Sequence, residues 1–285
     1  MLKDCIEIFE KEIEEYKQHN PNGDEISFIT DAYVLTSGTY YLLDIETGEV
    51  KATLDVDKNT TERSELYEKF AKMEYWSLYM DSNKAVADKN IFSNNIYSFI
   101  VNKENVAEKI TEEIIDEYYE KILKFNEVSD TDKKKLYISY EEKHGATNFE
   151  NAEKAKKAIK NFVQNYNAQE QKGRLAIFFD VDFSEYQKEG NRYILANVYN
   201  SNKYNYLKNN EIFGLSNNNM GLNSKKPYLE NKSRKNSLPY AISQNEVILQ
   251  KLFFDYLLNL KSRNKNFVYI TEKKVRAYKN KEYPQ

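Results

Sequence analysis

Apolar positions recur along the chain with two periods. Residues 2–18 place Leu2, Cys5, Phe9, Ile13 and Tyr16 three and four residues apart, the spacing of one helix face. Asn20-Pro21-Asn22-Gly23 breaks that pattern. From 26 to 56 the pattern turns strand-like, with a hairpin of 40–45 and 50–54 around Glu46-Thr47-Gly48-Glu49. Helical spacing returns over 62–80, and a short strand at 96–101 follows the polar Ser93-Asn94-Asn95. Val106, Ile110, Ile114, Tyr118 and Ile122 then repeat every four residues, with Ile115, Tyr119 and Leu123 widening the stripe. Glu112, Glu113, Asp116, Glu117 and Glu120 make the other face acidic and solvated. Thinner stripes over 130–142 and 148–170 extend this into a helical layer or insertion spanning 104–171.

At Arg174 the character changes. RLAIFFDVDF, 174–183, reads as a buried strand, and 193–199 as another. Residues 200–240 have little periodicity and are punctuated by Gly214, Gly221, Pro227 and Pro239; a stretch of this kind in a domain is usually functional or disordered. The strongest helix is 242–263, where Ser243 and Glu246 make a capping-box signature and Val247, Leu249, Leu252, Phe253, Tyr256 and Leu257 supply an apolar face. Residues 267–271 predict a last strand. The pattern predicts an α+β fold of mixed and antiparallel sheets, with a helical layer in the middle of the chain.

Composition sharpens this in two places. The 285 residues carry 42 basic and 45 acidic side chains, a net charge of -3. Residues 1–190 hold 39 acidic against 25 basic groups, whereas 191–285 hold 6 against 17. That asymmetry points to a polyanion-facing C-terminal part. The sequence has 33 Asn and 24 Tyr, which an AT-rich coding bias explains in bulk. Clustering is another matter, because 13 of the Asn lie between 191 and 236. Apolar runs are far shorter than the ~20 residues of a membrane span. The acidic amphipathic N-terminus is no secretory signal, so a cytoplasmic protein is expected.

Candidate chemistry is sparse. Cys5, the single cysteine, sits on the apolar face of its helix and reads as a buried, inert thiol. His19 and His144 are the only histidines, both in polar segments, and no nucleotide-cradling glycine motif occurs. No cofactor is expected. Asp180-Val181-Asp182 would put two carboxylates on one face of a strand, able to hold a divalent ion with Glu185 as a third ligand, as in a metal-dependent nuclease. The plainer reading is a strand whose end turns polar and pairs with Lys or Arg.

The segment 216–235, SNNNMGLNSKKPYLENKSRK, says more. Lys225, Lys226, Lys232, Arg234 and Lys235 stand against a lone Glu230. Such cations supply the salt-sensitive phosphate contribution to nucleic-acid binding. Asn217, Asn218, Asn219 and Asn223 offer amides that donate and accept at base edges. Gly221 permits close backbone approach, and Tyr228 offers a stacking face. The competing readings are a solvated Asn/Lys-rich loop of an AT-biased gene and a protein-interaction module whose basic loop faces an acidic partner.

The run from Asn197 to Asn259, NVYNSNKYNYLKNNEIFGLSNNNMGLNSKKPYLENKSRKNSLPYAISQNEVILQKLFFDYLLN, resembles the large-subunit family of type I-B CRISPR Cascade complexes. LKDCIEIFEKEIEEY at the start and SNNIYSFIVNKENV at 93–106 resemble the same family, and the similarity is densest over 192–259. Nothing in the sequence corresponds to the family's C-terminal helical bundle, so the resemblance is to its N-terminal, motif-recognition half. It implies a non-catalytic subunit beside the crRNA 5′ end and a Cascade backbone subunit. Such a subunit recognises the protospacer-adjacent motif in double-stranded target DNA, and the assembled complex recruits a helicase–nuclease. On that resemblance 191–240 is an Asn/Lys-rich nucleic-acid-binding loop region. Asn217 to Asn223 would read base edges, and Lys225, Lys226, Lys232, Arg234 and Lys235 would hold DNA phosphates or the crRNA handle.

Overall fold

The computed structural model describes residues 2–20, 25–58, 60, 63–166, 172–199, 202–209, 211–216 and 241–282. Its helices are α1 (Leu2–His19), α2 (Glu25–Thr30), α3 (Glu65–Tyr75), α4 (Lys103–Lys109), α5 (Glu112–Leu123), α6 (Thr131–His144), α7 (Phe149–Asn165), α8 (Phe183–Asn197) and α9 (Gln244–Ser262). Its strands are β1 (Gly38–Leu43), β2 (Val50–Val56), β3 (Ser98–Asn102), β4 (Arg174–Phe179), β5 (Tyr206–Lys208), β6 (Glu211–Gly214), β7 (Ile242–Ser243), β8 (Phe267–Ile270) and β9 (Val275–Tyr278). The fold is α+β, and the chain divides into two compact units, Leu35–Asn197 and Met1–Val34 with Val198–Gln285.

In the continuous unit the apolar run 175–179 lies inside a four-stranded mixed sheet ordered β2-β1-β4-β3. β1 and β2 are the expected antiparallel hairpin, β4 runs parallel to β1, and β3 antiparallel to β4. The hairpin turn is set by Asp44, which accepts from the backbone N–H groups of Glu46 and Thr47 at 2.9 and 3.0 Å, and by Gly48 at φ 73°. Successive side chains of β1 point to opposite faces. Tyr40 meets Phe70 of α3 at 5.5 Å, while Tyr41 meets Phe162 of α7 at 4.9 Å. Helices therefore cover both faces, and Leu175 to Phe179 need no polar alternation to be fully buried.

The helical layer expected over 104–171 is present as α4 to α7. The acidic face of α5 is exposed, and Lys160 of α7 reaches Asp116 and Glu112 at 2.7 and 3.5 Å. Its apolar face carries two fully buried tyrosines. The Tyr118 hydroxyl lies 2.9–3.1 Å from Ser93 Oγ and the carbonyls of Asn95 and Ser98, and Tyr119 donates to the Ile96 carbonyl. The polar run 93–95 is thus buried: Asn94 donates to the Leu78 carbonyl and Asn95 to that of Tyr186.

The strand expected over 193–199 is corrected by the structure, because 183–197 is helix α8, which also removes 191–197 from the expected loop region. Its buried Arg192 is pinned by Glu141 of α6, by the Ile122 carbonyl at 2.9 Å and by Glu189 at 3.5 Å, with its guanidinium over the Phe125 ring. Burial raises the Glu189 carboxyl above its usual range, and the Arg192 charge opposes that rise.

The second unit joins the two ends of the chain. Phe9 of α1 contacts Phe253 of α9 at 5.3 Å, and Phe28 of α2 stacks on Tyr256 of α9 at 5.0 Å. Asn259 of α9 donates to the Ile29 carbonyl at 3.2 Å. Residues 26–30 are therefore helical where a strand was expected. The capping box of α9 is formed as expected, Ser243 accepting from the Glu246 N–H and Glu246 from the Ser243 N–H. β5, β6 and β7 make a three-stranded antiparallel sheet, and β8 and β9 a two-stranded ribbon.

This division changes the meaning of the charge asymmetry. The acidic α1 belongs with the basic C-terminal part, so the discontinuous unit holds 19 basic and 15 acidic groups. The continuous unit holds 23 and 30. The contrast between units is milder than the split at residue 190 suggested.

Candidate nucleic-acid interface

Asn217, Asn218, Asn219, Gly221, Asn223, Lys225, Lys226, Tyr228, Lys232, Arg234 and Lys235 all lie outside the described residues. What the structure describes is the frame at either end of their segment. Ser216, the last described residue before the segment, bridges to Tyr199, and the described residues resume at Ala241. The flanking strands pair with each other, Gly214 opposite Ile242 and Phe213 opposite Ser243. Tyr199 donates to the Ile212 carbonyl at 3.0 Å and sits 3.4 Å from that of Ile242, so one hydroxyl contacts both strands. Gly214 is needed here, since a Cβ would stand 2.3 Å from Asn205 Oδ1 and 2.6 Å from the Tyr199 ring. β7 runs directly into capped α9. The two ends of the segment are thus held side by side on a strand pair continuous with the longest helix of the unit.

Asp180 and Asp182 do not form the pair that a metal-dependent nuclease would need. β4 ends at Phe179, so the two carboxylates do not share a strand face. Asp180 is bound by Lys51 and Lys69, each at 2.7 Å, and their hydrogen bonds hold its carboxyl below the usual range. Asp182 accepts from the backbone N–H and hydroxyl of Ser184 at the start of α8, which lowers its carboxyl as well. Glu185 accepts from the buried Tyr97 hydroxyl at 3.1 Å. Among the described residues no group of three His, Cys, Asp or Glu side chains could hold a metal ion. The plainer expectation, a polar strand end paired with lysines, is the one the geometry matches.

Other titratable groups have structural partners. Cys5 is half-buried, and both histidines are exposed. Burial lowers the Lys84 ammonium to about 8, and its Nζ donates to the Asn197 carbonyl. The cleft beside it, about 560 Å³, is lined by Lys121, Lys124 and Lys133 but also by Glu117, Glu120 and Glu127, so its charge is mixed.

Sequence reasoning missed one surface. All four residues of β8, Phe267, Val268, Tyr269 and Ile270, are exposed, in a stretch rich in lysine. The strand itself was legible, but its exposure was not. The co-occurrence of aromatics with lysines over 263–282 is the signal that would have flagged it. No helix among the described residues is long and apolar enough to cross a membrane. No protein-family model matches the chain, and no curated protein or solved structure matches it.

Proposed function

We propose that the chain is a non-catalytic nucleic-acid recognition subunit, the large subunit of a type I-B CRISPR Cascade complex. One observation carries the reading: residues 216–235 combine five cations, five Asn and one Glu within the stretch of densest family resemblance, 192–259. In such complexes base pairing with crRNA reads the target, which leaves the protein a short flanking motif. Asn amides reaching base edges in a groove suit that task, and Lys and Arg fix the register on phosphates of target DNA or of the crRNA 5′ region. The pairing of Gly214 with Ile242 supports the reading, because it brings the two ends of the segment side by side. Cascade backbone subunits would hold the protein in place, and the assembled complex would recruit the helicase–nuclease.

Co-expression of the full chain with the backbone subunits and crRNA tests this. Stoichiometric co-elution is expected, together with a preference of the assembly for duplexes carrying one flanking motif. Asn218→Ala or Asn219→Ala should flatten that preference more than it lowers overall affinity. Failure to co-elute with any subunit or with crRNA would retire the reading.

A further inference from the structure

The C-terminal ribbon presents a second surface of a different kind. Its register sets Phe267 opposite Tyr278 and Tyr269 opposite Arg276. Directly paired residues of an antiparallel ribbon share a face, as do residues two apart along a strand. Phe267, Tyr269, Tyr278 and Arg276 therefore make one face, and Val268, Ile270, Val275 and Ala277 the other. Phe267 and Tyr269 are 47% and 40% exposed; on the aliphatic face Val275 is buried, while Val268 and Ile270 are exposed as well. The Tyr269 and Tyr278 rings pack edge to face at 5.5 Å, with Tyr278 half-buried and Phe267 and Tyr269 exposed.

The ribbon is anchored within its unit. The buried Glu12 carboxylate of α1 accepts from the Val275 N–H at 2.9 Å and from the Arg276 guanidinium at 3.2 Å. Around the aromatic face, residues 263–282 carry seven Lys or Arg against two Glu. Among the described residues, Arg276 with Glu12 is the one ion pair in this stretch. Lys273, Lys279 and Lys281 are exposed, and Lys265 is half-exposed.

We propose that this ribbon is a stacking platform for single-stranded nucleic acid, with bases on Phe267, Tyr269 and Tyr278 and phosphates along Lys265, Lys273 and Lys279. Exposed rings beside unpaired cations match the two halves of such a ligand, π-faces and a phosphate backbone. A duplex hides its base faces and leaves the rings nothing to stack on. A second copy of the ribbon would bring an equal positive surplus against this one. The proposal goes beyond the reading of 216–235, because it uses other residues and another ligand class and stands if that reading falls.

Fluorescence anisotropy of a labelled 20-nucleotide oligodeoxythymidine with the full chain tests it. Tyr269→Ala should weaken binding about 5- to 150-fold, the range for loss of one stacked base, while Tyr269→Trp retains it. Lys273→Gln with Lys279→Gln should lower the log–log salt slope by ~1.4, about 0.7 for each lost phosphate contact. These side chains are exposed, so the variants should keep wild-type circular dichroism. Unchanged affinity in Phe267→Ala with Tyr269→Ala overturns the proposal, as does an equal loss for a blunt duplex of the same length. Self-association that Tyr269→Ala abolishes, without oligonucleotide binding, also overturns it and assigns the face to a second copy. Lys225→Ala with Lys226→Ala should leave the ring-dependent loss intact, so the two sites fail or hold separately.

Discussion

The two units use their charges in opposite ways. In Leu35–Asn197 many cations are matched to carboxylates of the same unit: Lys51 and Lys69 hold Asp180, Lys160 holds Asp116, and Arg192 holds Glu141 and Glu189. In the unit formed by the chain ends, one salt bridge, Arg276 with Glu12, serves the whole basic stretch 263–282 among the described residues. The segment 216–235 adds a further surplus in sequence. Net charge alone would mislead here, since the second unit exceeds neutrality by only four. What distinguishes a face suited to a polyanion is cations without carboxylates beside them, joined to exposed rings, as along the ribbon 267–278.

The comparison breaks most severely if the charges of the continuous unit prove dispensable. Arg192→Met should cost about 3–5 kcal/mol, because it leaves Glu141 and Glu189 without their shared counter-charge. Urea unfolding checks this through a lower midpoint at unchanged slope. Tyr118→Phe should cost about 1–3 kcal/mol, since it strips a donor from a fully buried site around Ser93, Asn95 and Ser98. Both variants, where folded, should bind nucleic acid like the wild type.

A smaller effect sharpens the electrostatic account. The Glu189 carboxyl is raised in the folded state by burial, so the stability linked to its protonation is present below ~4.3 and is lost as pH rises through the folded value. Glu189→Gln should therefore lose less stability than the wild type as pH rises above ~4.3, measured as melting temperature at each pH. Asp180 behaves oppositely: its lowered carboxyl contributes stability above ~3.9 that disappears as pH falls through the folded value. Asp180 and both its lysines are partly exposed, so Asp180→Asn should cost no more than about 1 kcal/mol. It should also leave nucleic-acid affinity unchanged.

Local chemistry made part of this legible in the sequence. The 44–49 turn and the Ser243–Glu246 cap depend on residues within a few positions of each other, and both formed as the residues implied. α8 was misread because nearly every side from Tyr186 to Asn197 is buried, which erases the amphipathic contrast that separates a helix from a buried strand. α2 has only six residues, too few to show a period. Asn94 and Asn95 read only as a polar run before a strand, yet their amides satisfy carbonyls far along the chain, a pairing that only the fold brings about. Asp180 met its lysines for the same reason. The candidate site divides likewise. Residues 216–235 stand out by composition, whereas the aromatic face of the ribbon emerges only when register and exposure are known.

The most direct test of the central claim is the salt dependence of duplex DNA affinity for the full chain and two double variants. Lys225→Ala with Lys226→Ala removes cations from the end-joined unit. Lys143→Ala with Lys157→Ala removes two exposed cations from the continuous unit. The first pair should lower the log–log slope by ~1.8, about 0.9 for each phosphate contact, and the second should leave it unchanged. Equal slopes for the two variants, whether both lowered or both intact, would contradict the assignment of nucleic-acid recognition to the unit formed by the chain ends.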